Sequence, residues 1–224
     1  MSLPVIVIGS GGHAKVVIDT LLCAGRRVIG RTDRDPGRGG IDIQGVPFLG
    51  DDAALSAHDP AAVELANGIG STGDPSRRIA VFETFRARGF RFARVIHPST
   101  VIAADAEIGE GAQIMAGAIV QPGCRIGGNV IVNTGAQVDH DCAIGEHVHV
   151  APGAVLCGEV TIGARSHVGA GAVVIQRVRV GEDCLAAAGA VVINSVADGT
   201  RVAGTPAQRT PAVRTACLNA GGRS

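Results

Sequence analysis

The 224-residue sequence contains no tryptophan and no tyrosine, and its five phenylalanines leave aromatic residues at only 2% of the chain. Stacking platforms of the kind that hold nucleic-acid bases are thereby nearly excluded. Lys and Arg together number 20, as do Asp and Glu, so the formal net charge is zero. No global field draws such a chain to nucleic acid or to an anionic membrane surface. Long apolar runs are missing as well. The opening stretch MSLPVIVIGSGGHAK has no basic segment ahead of its apolar run, and that run breaks at Gly9, far short of the ~18 residues of a membrane span. A soluble, cytoplasmic protein with no export signal and no membrane span is the expectation. The cysteines Cys23, Cys124, Cys142, Cys157, Cys184 and Cys217 include no CxxC pair. Neither a zinc knuckle nor a disulfide framework is indicated, and buried, reduced thiols are expected.

What the chain has in quantity is glycine, 33 residues of it, and a 46% hydrophobic content that must be Val, Ile, Leu and Ala. These residues are arranged in two different periodicities. Residues 4–95 read as alternating strands and helices. The run Pro4–Ile8 is continuously apolar, as in a parallel strand buried on both faces. After Gly9-Ser10-Gly11-Gly12, the residues Val16, Val17, Leu21 and Leu22 recur at helical spacing from His13 to about Gly25. Arg27–Gly30 and Ala62–Ala66 read as further strands. Asp74-Pro75 predicts a helix start, with Asp as N-cap and Pro in the first turn, and that helix runs to Gly89. The stretch Asp33–Gly40 reads as a loop.

From residue 96 the helical spacing is replaced by a six-residue repeat. Of the seventeen positions counted in sixes from Ile96 to Val192, all but Ala186 are Ile, Leu or Val. Two residues before most of them stands a small or β-branched side chain, such as Ala112, Ala118, Cys124, Val130 or Ala136. A second register of eighteen places Gly after the aliphatic residue at 109, 127, 145, 163 and 181. Six residues per face and eighteen per coil predict a three-sided parallel β-helix of just over five coils. The aliphatic residues point inward, and the register glycines are expected to supply turns of positive φ. Prisms of this kind are usually packed in threes.

Three features carry potential chemistry. Gly9-Ser10-Gly11-Gly12-His13-Ala14 matches G-x-G-x-x-G/A between a strand and a helix, with Asp33 some twenty residues on. Backbone approach and a helix N-terminus suit a diphosphate. Only one mononucleotide-binding half fits before residue 96, which favours a nucleotide diphosphate over NAD; a turn that merely joins strand to helix is the plain alternative. Gly68-Ile69-Gly70 would line the same crevice. Second, His140 follows the inward Val138 by two residues, stands between Asp139 and Asp141, and has Gly158 one coil later. A carboxylate-flanked imidazole facing outward suits a general base, and equally a solvated surface histidine. Third, His149 and His167 should stack in successive coils; two histidines without a third ligand in phase do not make a zinc site, and no metal is expected. His147 is expected to face solvent, and Cys142 and Cys184 to pack in the core.

The combination of GSGGHAK after the first strand, the hexapeptide repeat, NTGAQVDHDCAIGEHVHVAPGAVLCGEVTIG in its middle and GTPA at its end resembles the nucleotide-linked amino-sugar N-acetyltransferases of bacterial surface-glycan synthesis. The resemblance covers nearly the whole chain and is strongest to those acting on GDP-perosamine. It implies an α/β Rossmann-like half domain (1–95), a left-handed parallel β-helix (96–208), a C-terminal tail (209–224) and a homotrimer. It further implies acetyl-CoA as co-substrate, a nucleotide-linked 4-amino sugar as acceptor, and O-antigen synthesis as the setting. His140 falls on the family's general base and Asp141 on its acidic partner, often Glu. His149, Gly158, Ala170 and Ala188 fall on acetyl-CoA contacts, with Ala188 where Gly is usual. Gly11, Gly12 and His13 fall on the loop under the diphosphate, and Gly70 on a further substrate contact. Thr32 and Asp33 stand where UDP-sugar relatives carry an acidic pair near the nucleobase, and Asn133 on a sugar contact. A UDP-4-amino sugar, or an O-acyl acceptor, is the alternative within the family. Outside it stand an NAD-dependent oxidoreductase and a structural or metal-binding β-helix.

Overall fold

The computed structural model describes residues 2–210. Its first part is a four-stranded parallel sheet in the order β2-β1-β3-β4, built from β1 (Val5–Ile8), β2 (Val28–Thr32), β3 (Glu64–Asn67) and β4 (Arg91–Phe92). Alternate side chains of β1 serve opposite faces. Val5 and Val7 pack with Ala14, Val17, Ile18 and Leu21 of α1 (Gly12–Cys23), while Ile6 and Ile8 pack with Val81, Phe82 and Phe85 of α2 (Ser76–Ala87). That double burial is why the run is apolar at every position. The first cluster also contains Val95 and Met115, so α1 is sandwiched between the sheet and the second part of the chain.

The second part begins at β5 (Val95–Ile96) and winds as a parallel β-helix of about six coils. A first face stacks Val95–Ile96, Gln113–Ile114, Ile131–Val132, His149–Val150, His167–Val168, Leu185–Ala186 and Arg201–Ala203. A second runs from Val101–Ile102 to Val191–Val192, and a third from Glu107–Ile108 to Arg179–Val180. Each strand pairs with the one eighteen residues later, as in Val132↔Val150 and Leu156↔Val174. The helix runs longer than the repeat count suggests, because Val196 bridges Val180 and Arg201–Ala203 pairs with Leu185–Ala186 after the strict repeat has ended. The predicted tail begins as structure too: Gln208–Arg209 pairs antiparallel with Ala203 and Val202. Residues 211–224, including Cys217, lie outside the described residues.

Inside the prism the ladder from Ile114 to Val192 is buried, as are the small residues beside it, including Ala112, Cys124, Val130, Cys142 and Cys184. Each such aliphatic side chain stabilises the fold by ~1.5–3 kcal/mol. The role expected for the register glycines is corrected. Positive φ occurs every sixth residue at Gly111, Gly117, Gly123, Asn129, Gly135, Asp141, His147 and onward, three places after each aliphatic position. Gly109, Gly127, Gly145 and Gly163 lack it. They are small because coils touch there: a Cβ on Gly163 would lie 2.5 Å from the Glu182 nitrogen and the Gly181 carbonyl carbon.

Two local expectations also shift. Part of the stretch read as loop is a 3-10 turn, Pro36–Gly40, capped by the Asp35 carboxylate. Helix α2 starts at Ser76, with Pro75 at the cap position; Asp74 still caps it, its carboxylate accepting from the Ser76 nitrogen at 2.9 Å and hydroxyl at 2.6 Å. Among the described residues no helix is long and apolar enough to cross a membrane.

Candidate active site

The Gly-rich turn after β1 opens a crevice of about 520 Å³ lined by Gly9, Gly11, Gly12, His13, Asp33, Arg34, Arg38, Gly68, Gly70 and Arg77, among others. A Cβ on Gly11 or Gly12 would meet nothing within 4 Å, so their bareness leaves backbone open to a ligand rather than relieving a clash. Asp33 shapes the turn by accepting from the Ser10 nitrogen at 2.7 Å. Gly70 is small because a Cβ would press on His13, 3.2 Å from its Cβ. His13 donates from Nε2 to Gln113 Oε1 at 2.7 Å, since the Gln113 amide is spent on the Asn67 carbonyl. Burial lowers the His13 pKa, leaving Nδ1 as an acceptor. Thr32 does not line the crevice. It is fully buried and its hydroxyl donates to Asp52 at 2.9 Å.

Three arginines with no motif in the sequence also line this crevice. Arg34 pairs with Asp52 and Arg38 with Asp35, while Arg77 makes no ion pair among the described residues. With Asp33 and Asp35 also in the lining, Arg77 and the helix N-terminus are the positive groups left unpaired toward the crevice among the described residues. Behind them Arg31 is buried, donating to Ser10 Oγ at 2.8 Å and to the carbonyls of Arg38, Ile41 and Val46, with its guanidinium 5.2 Å from the Phe48 ring centre. It braces the 3-10 turn against the Gly-rich turn.

A second cleft, about 860 Å³, lies along the first face and its edge with the second. It is lined by Ser71, Asn133, His149, His167, Ala170, Ala188 and Arg201, among others. The Ser71 carbonyl accepts from His149 Nδ1 at 3.0 Å, and Asn133 donates to Nε2 at 3.0 Å, which sets a single neutral tautomer. Burial, then the neighbouring His167, pushes the His149 pKa down to about 3. The two rings stack edge to face with centres 4.8 Å apart, and His167 Nδ1 is buried without a partner.

Between crevice and cleft runs a polar seam joining α2 to the β-helix. Arg78 is fully buried and donates to the carbonyls of Asn129 and His147. Burial lowers its pKa to about 10. This seam overturns the expectation for His147, which is buried beneath α2, edge-on to Phe82 at 5.7 Å. The repeat alone carries no sign of what packs on its outer faces.

His140 stands on a different edge, between the second and third faces. Its side chain is exposed, and Nδ1 lies 2.9 Å from Asp141 Oδ2. Adjacent residues on a straight strand point apart; here Asp141 occupies the positive-φ corner, with φ of 59°, and the bend turns its carboxylate back onto the ring. That hydrogen bond raises the His140 pKa. A Cβ on Gly158 would collide with His140 Nε2, so the glycine leaves room for the imidazole. With Nδ1 held by a carboxylate, Nε2 can take a proton from a neighbouring acceptor. The predicted residues thus fall into three groups. Gly11, Gly12, His13, Asp33 and Gly70 line the crevice; His149 on the first face, with Asn133, Ala170 and Ala188 on its edge with the second, line the cleft; His140, Asp141 and Gly158 share the edge beyond the second face.

The PglD N-terminal domain family matches residues 4–85, and the bacterial transferase hexapeptide repeat matches 105–140 and 141–176. The acetyltransferase domain of PglB from Neisseria gonorrhoeae, solved with acetyl coenzyme A, is 36% identical with a TM-score of 0.86, covering 94% of this chain and 100% of that one. PerB from Caulobacter crescentus, solved with CoA and GDP-perosamine, is 38% identical at the same TM-score and coverage. This chain belongs to the hexapeptide-repeat, acetyl-CoA-dependent sugar N-acetyltransferases. WeeI from Acinetobacter baumannii aligns at 25% identity with a TM-score of 0.75, over 93% of this chain and 100% of that one. No curated protein sequence matches the chain. As a hexapeptide-repeat acetyltransferase its β-helix is left-handed.

Proposed function

We propose that this acetyltransferase moves the acetyl group of acetyl-CoA to the 4-amino group of a nucleotide-linked dideoxy amino sugar, GDP-perosamine before others, as a cytoplasmic step of O-antigen synthesis. The carrying observation is the His140–Asp141 pair on an open edge, its ring accommodated by Gly158. In the proposed reaction the sugar amine attacks the thioester carbonyl carbon while His140 Nε2 takes the amine proton. Asp141 stabilises the imidazolium. Collapse of the tetrahedral species breaks the carbon–sulfur bond, and the departing thiolate takes the proton held by the His140 imidazolium, which leaves free CoA and restores the neutral base. Gly11, Gly12, His13 and Arg77 hold the diphosphate; Asn133 and His149, with Ala170 and Ala188, line the space where sugar and thioester meet. Asp33 and the 3-10 turn flank the nucleobase.

Because His140 and the crevice lie on different edges of one chain, the reading requires a neighbouring copy to supply His140, most simply in a homotrimer. Copies bring the reactants together and provide the positioning gain of a single enclosed site.

The deciding experiment follows thiol release and product mass with acetyl-CoA plus GDP-perosamine, and in parallel with a UDP-4-amino sugar. Acetylation of the GDP sugar at nitrogen is expected. Turnover of the UDP sugar alone would move the assignment to that alternative, and acetylation at oxygen to an O-acyltransferase. With the nucleotide sugar well below KM, mixing His140→Ala chains with Gly12→Val chains should give more activity than the two parents assayed apart, since some mixed interfaces hold both intact halves; a mixture no more active than the sum of its parents would refute the shared site.

A further inference from the structure

Away from both clefts, a group of metal-ligating side chains spans the junction of α1 and the first coil. Asp19 and Cys23 are one helical turn apart on α1 and so share a face. His97 follows β5, the strand against which α1 packs. One ligand atom from each of the three lies within 4.8 Å of the others. Asp19 and Cys23 are exposed and His97 is half-buried, so the group is open to solvent. Two of the three are also held by neighbours: Asp19 Oδ1 accepts from the Gln44 amide at 2.8 Å, and His97 Nδ1 accepts from the Ser99 backbone N–H at 3.1 Å with Ser99 Oγ 2.8 Å away. The Cys23 thiol makes no hydrogen bond among the described residues, and neither the crevice nor the His149 cleft includes any of the three.

We propose that Asp19, Cys23 and His97 form a zinc site that ties the end of α1 to the first coil. A thiolate, an imidazole and a carboxylate are a donor set that zinc takes and that magnesium or calcium does not. Ligand atoms at tetrahedral angles on zinc lie about 3.5 Å apart. The three atoms therefore need to close by about an ångström, which rotation of exposed side chains supplies. The fourth position stays with water. Gln44 supports the Asp19 carboxylate as ligating side chains require, while ligation through His97 Nε2 moves the ring proton to Nδ1, which then gives up the Ser99 N–H and donates to Ser99 Oγ. On binding, the Cys23 thiol releases its proton to solvent, so affinity rises with pH. The site takes no part in acetyl transfer, and its presence does not depend on which sugar is the acceptor.

The test uses the full chain, stripped with chelator and dialysed against zinc alone, with cobalt as a spectroscopic substitute. One zinc per chain is expected, with affinity falling about 100-fold in Cys23→Ser and in His97→Ala, and less in Asp19→Asn. The cobalt complex should show a thiolate charge-transfer band that Cys23→Ser abolishes and Cys157→Ser retains. Zinc should raise the melting temperature of the parent and not of Cys23→Ser; circular dichroism confirms that each variant is folded. Failure of the parent to bind zinc, or zinc and the cobalt band persisting in Cys23→Ser and His97→Ala, would overturn the site.

Discussion

The β-helix and the N-terminal sheet solve the problem of presenting functional groups in opposite ways. In the β-helix every coil repeats the same backbone contacts, so stability resides in the inward ladder and in the glycines where coils touch. Outward positions at the edges carry no share of that load. His140 and Asp141 can occupy such positions with their polar atoms free for chemistry, at the cost only of a left-handed corner at Asp141. In the N-terminal region no repeat exists, and the crevice is made of turns that hold shape through buried polar groups, above all Arg31. A regular scaffold separates fold from function residue by residue, whereas an irregular one makes the same residues serve both.

The largest effect tests the glycine contacts. Gly163→Val should destabilise the β-helix by more than ~4 kcal/mol, because its side chain meets backbone that cannot withdraw; a variant that melts like the parent would show the coils to be looser than described. Next, His140→Ala should lower kcat by ~10²–10⁴ while leaving the melting temperature unchanged. A matching loss of stability would erase the distinction between edge and ladder. In the crevice, Gly12→Val should raise KM for the nucleotide sugar about tenfold, equivalent to ~1.4 kcal/mol, with little change in stability, since a Cβ there meets no protein atom.

Two pH experiments sharpen the contrast further. In the proposed reaction His140 must be neutral to accept a proton, and Asp141 raises its pKa above the ordinary value of 6.5. The acid limb of kcat/KM should lie above that value. Asp141→Asn should move the limb to lower pH and reduce the plateau by less than the loss of the base itself. His149 behaves oppositely. Its folded pKa of about 3 lies below the ordinary 6.5, so between those values the unfolded chain binds a proton that the folded chain refuses. Its contribution to stability is full above about 6.5 and is lost as pH falls toward 3, by up to ~1.4 kcal/mol per pH unit. His149→Gln should flatten the pH dependence of the urea midpoint by that amount, and an unchanged slope would show that His149 is protonated in the folded state.

How much of this was legible in the sequence differs between the regions. The β-helix could be read because a period of six places the same physical demand at every sixth residue, and the demand shows as Ile, Leu or Val. The Gly-rich turn could be read because strand, glycines and helix are consecutive. The glycines at 109, 127, 145 and 163 were visible but misassigned, since smallness serves a positive φ and a close backbone approach equally well. His147 was misread because α2, which buries it, comes from residues 76–87. Arg31, Arg78 and Ser71 carried no signal, as their partners lie far along the chain, with Arg78 acting on Asn129 and His147.

The sequence by itself determined the three-sided coil, its inward ladder and the Gly-rich turn between strand and helix, because each depends on residues close in the chain and repeats or adjoins within a few positions. Only the tertiary structure decided that Asp141 bends back onto His140, that His149 is held as a single neutral tautomer between Ser71 and Asn133, and that His140 stands on a different edge from the crevice. Those outcomes depend on which coil lies above which and where the N-terminal sheet docks. Both are set by packing between residues remote in sequence, which no local pattern records.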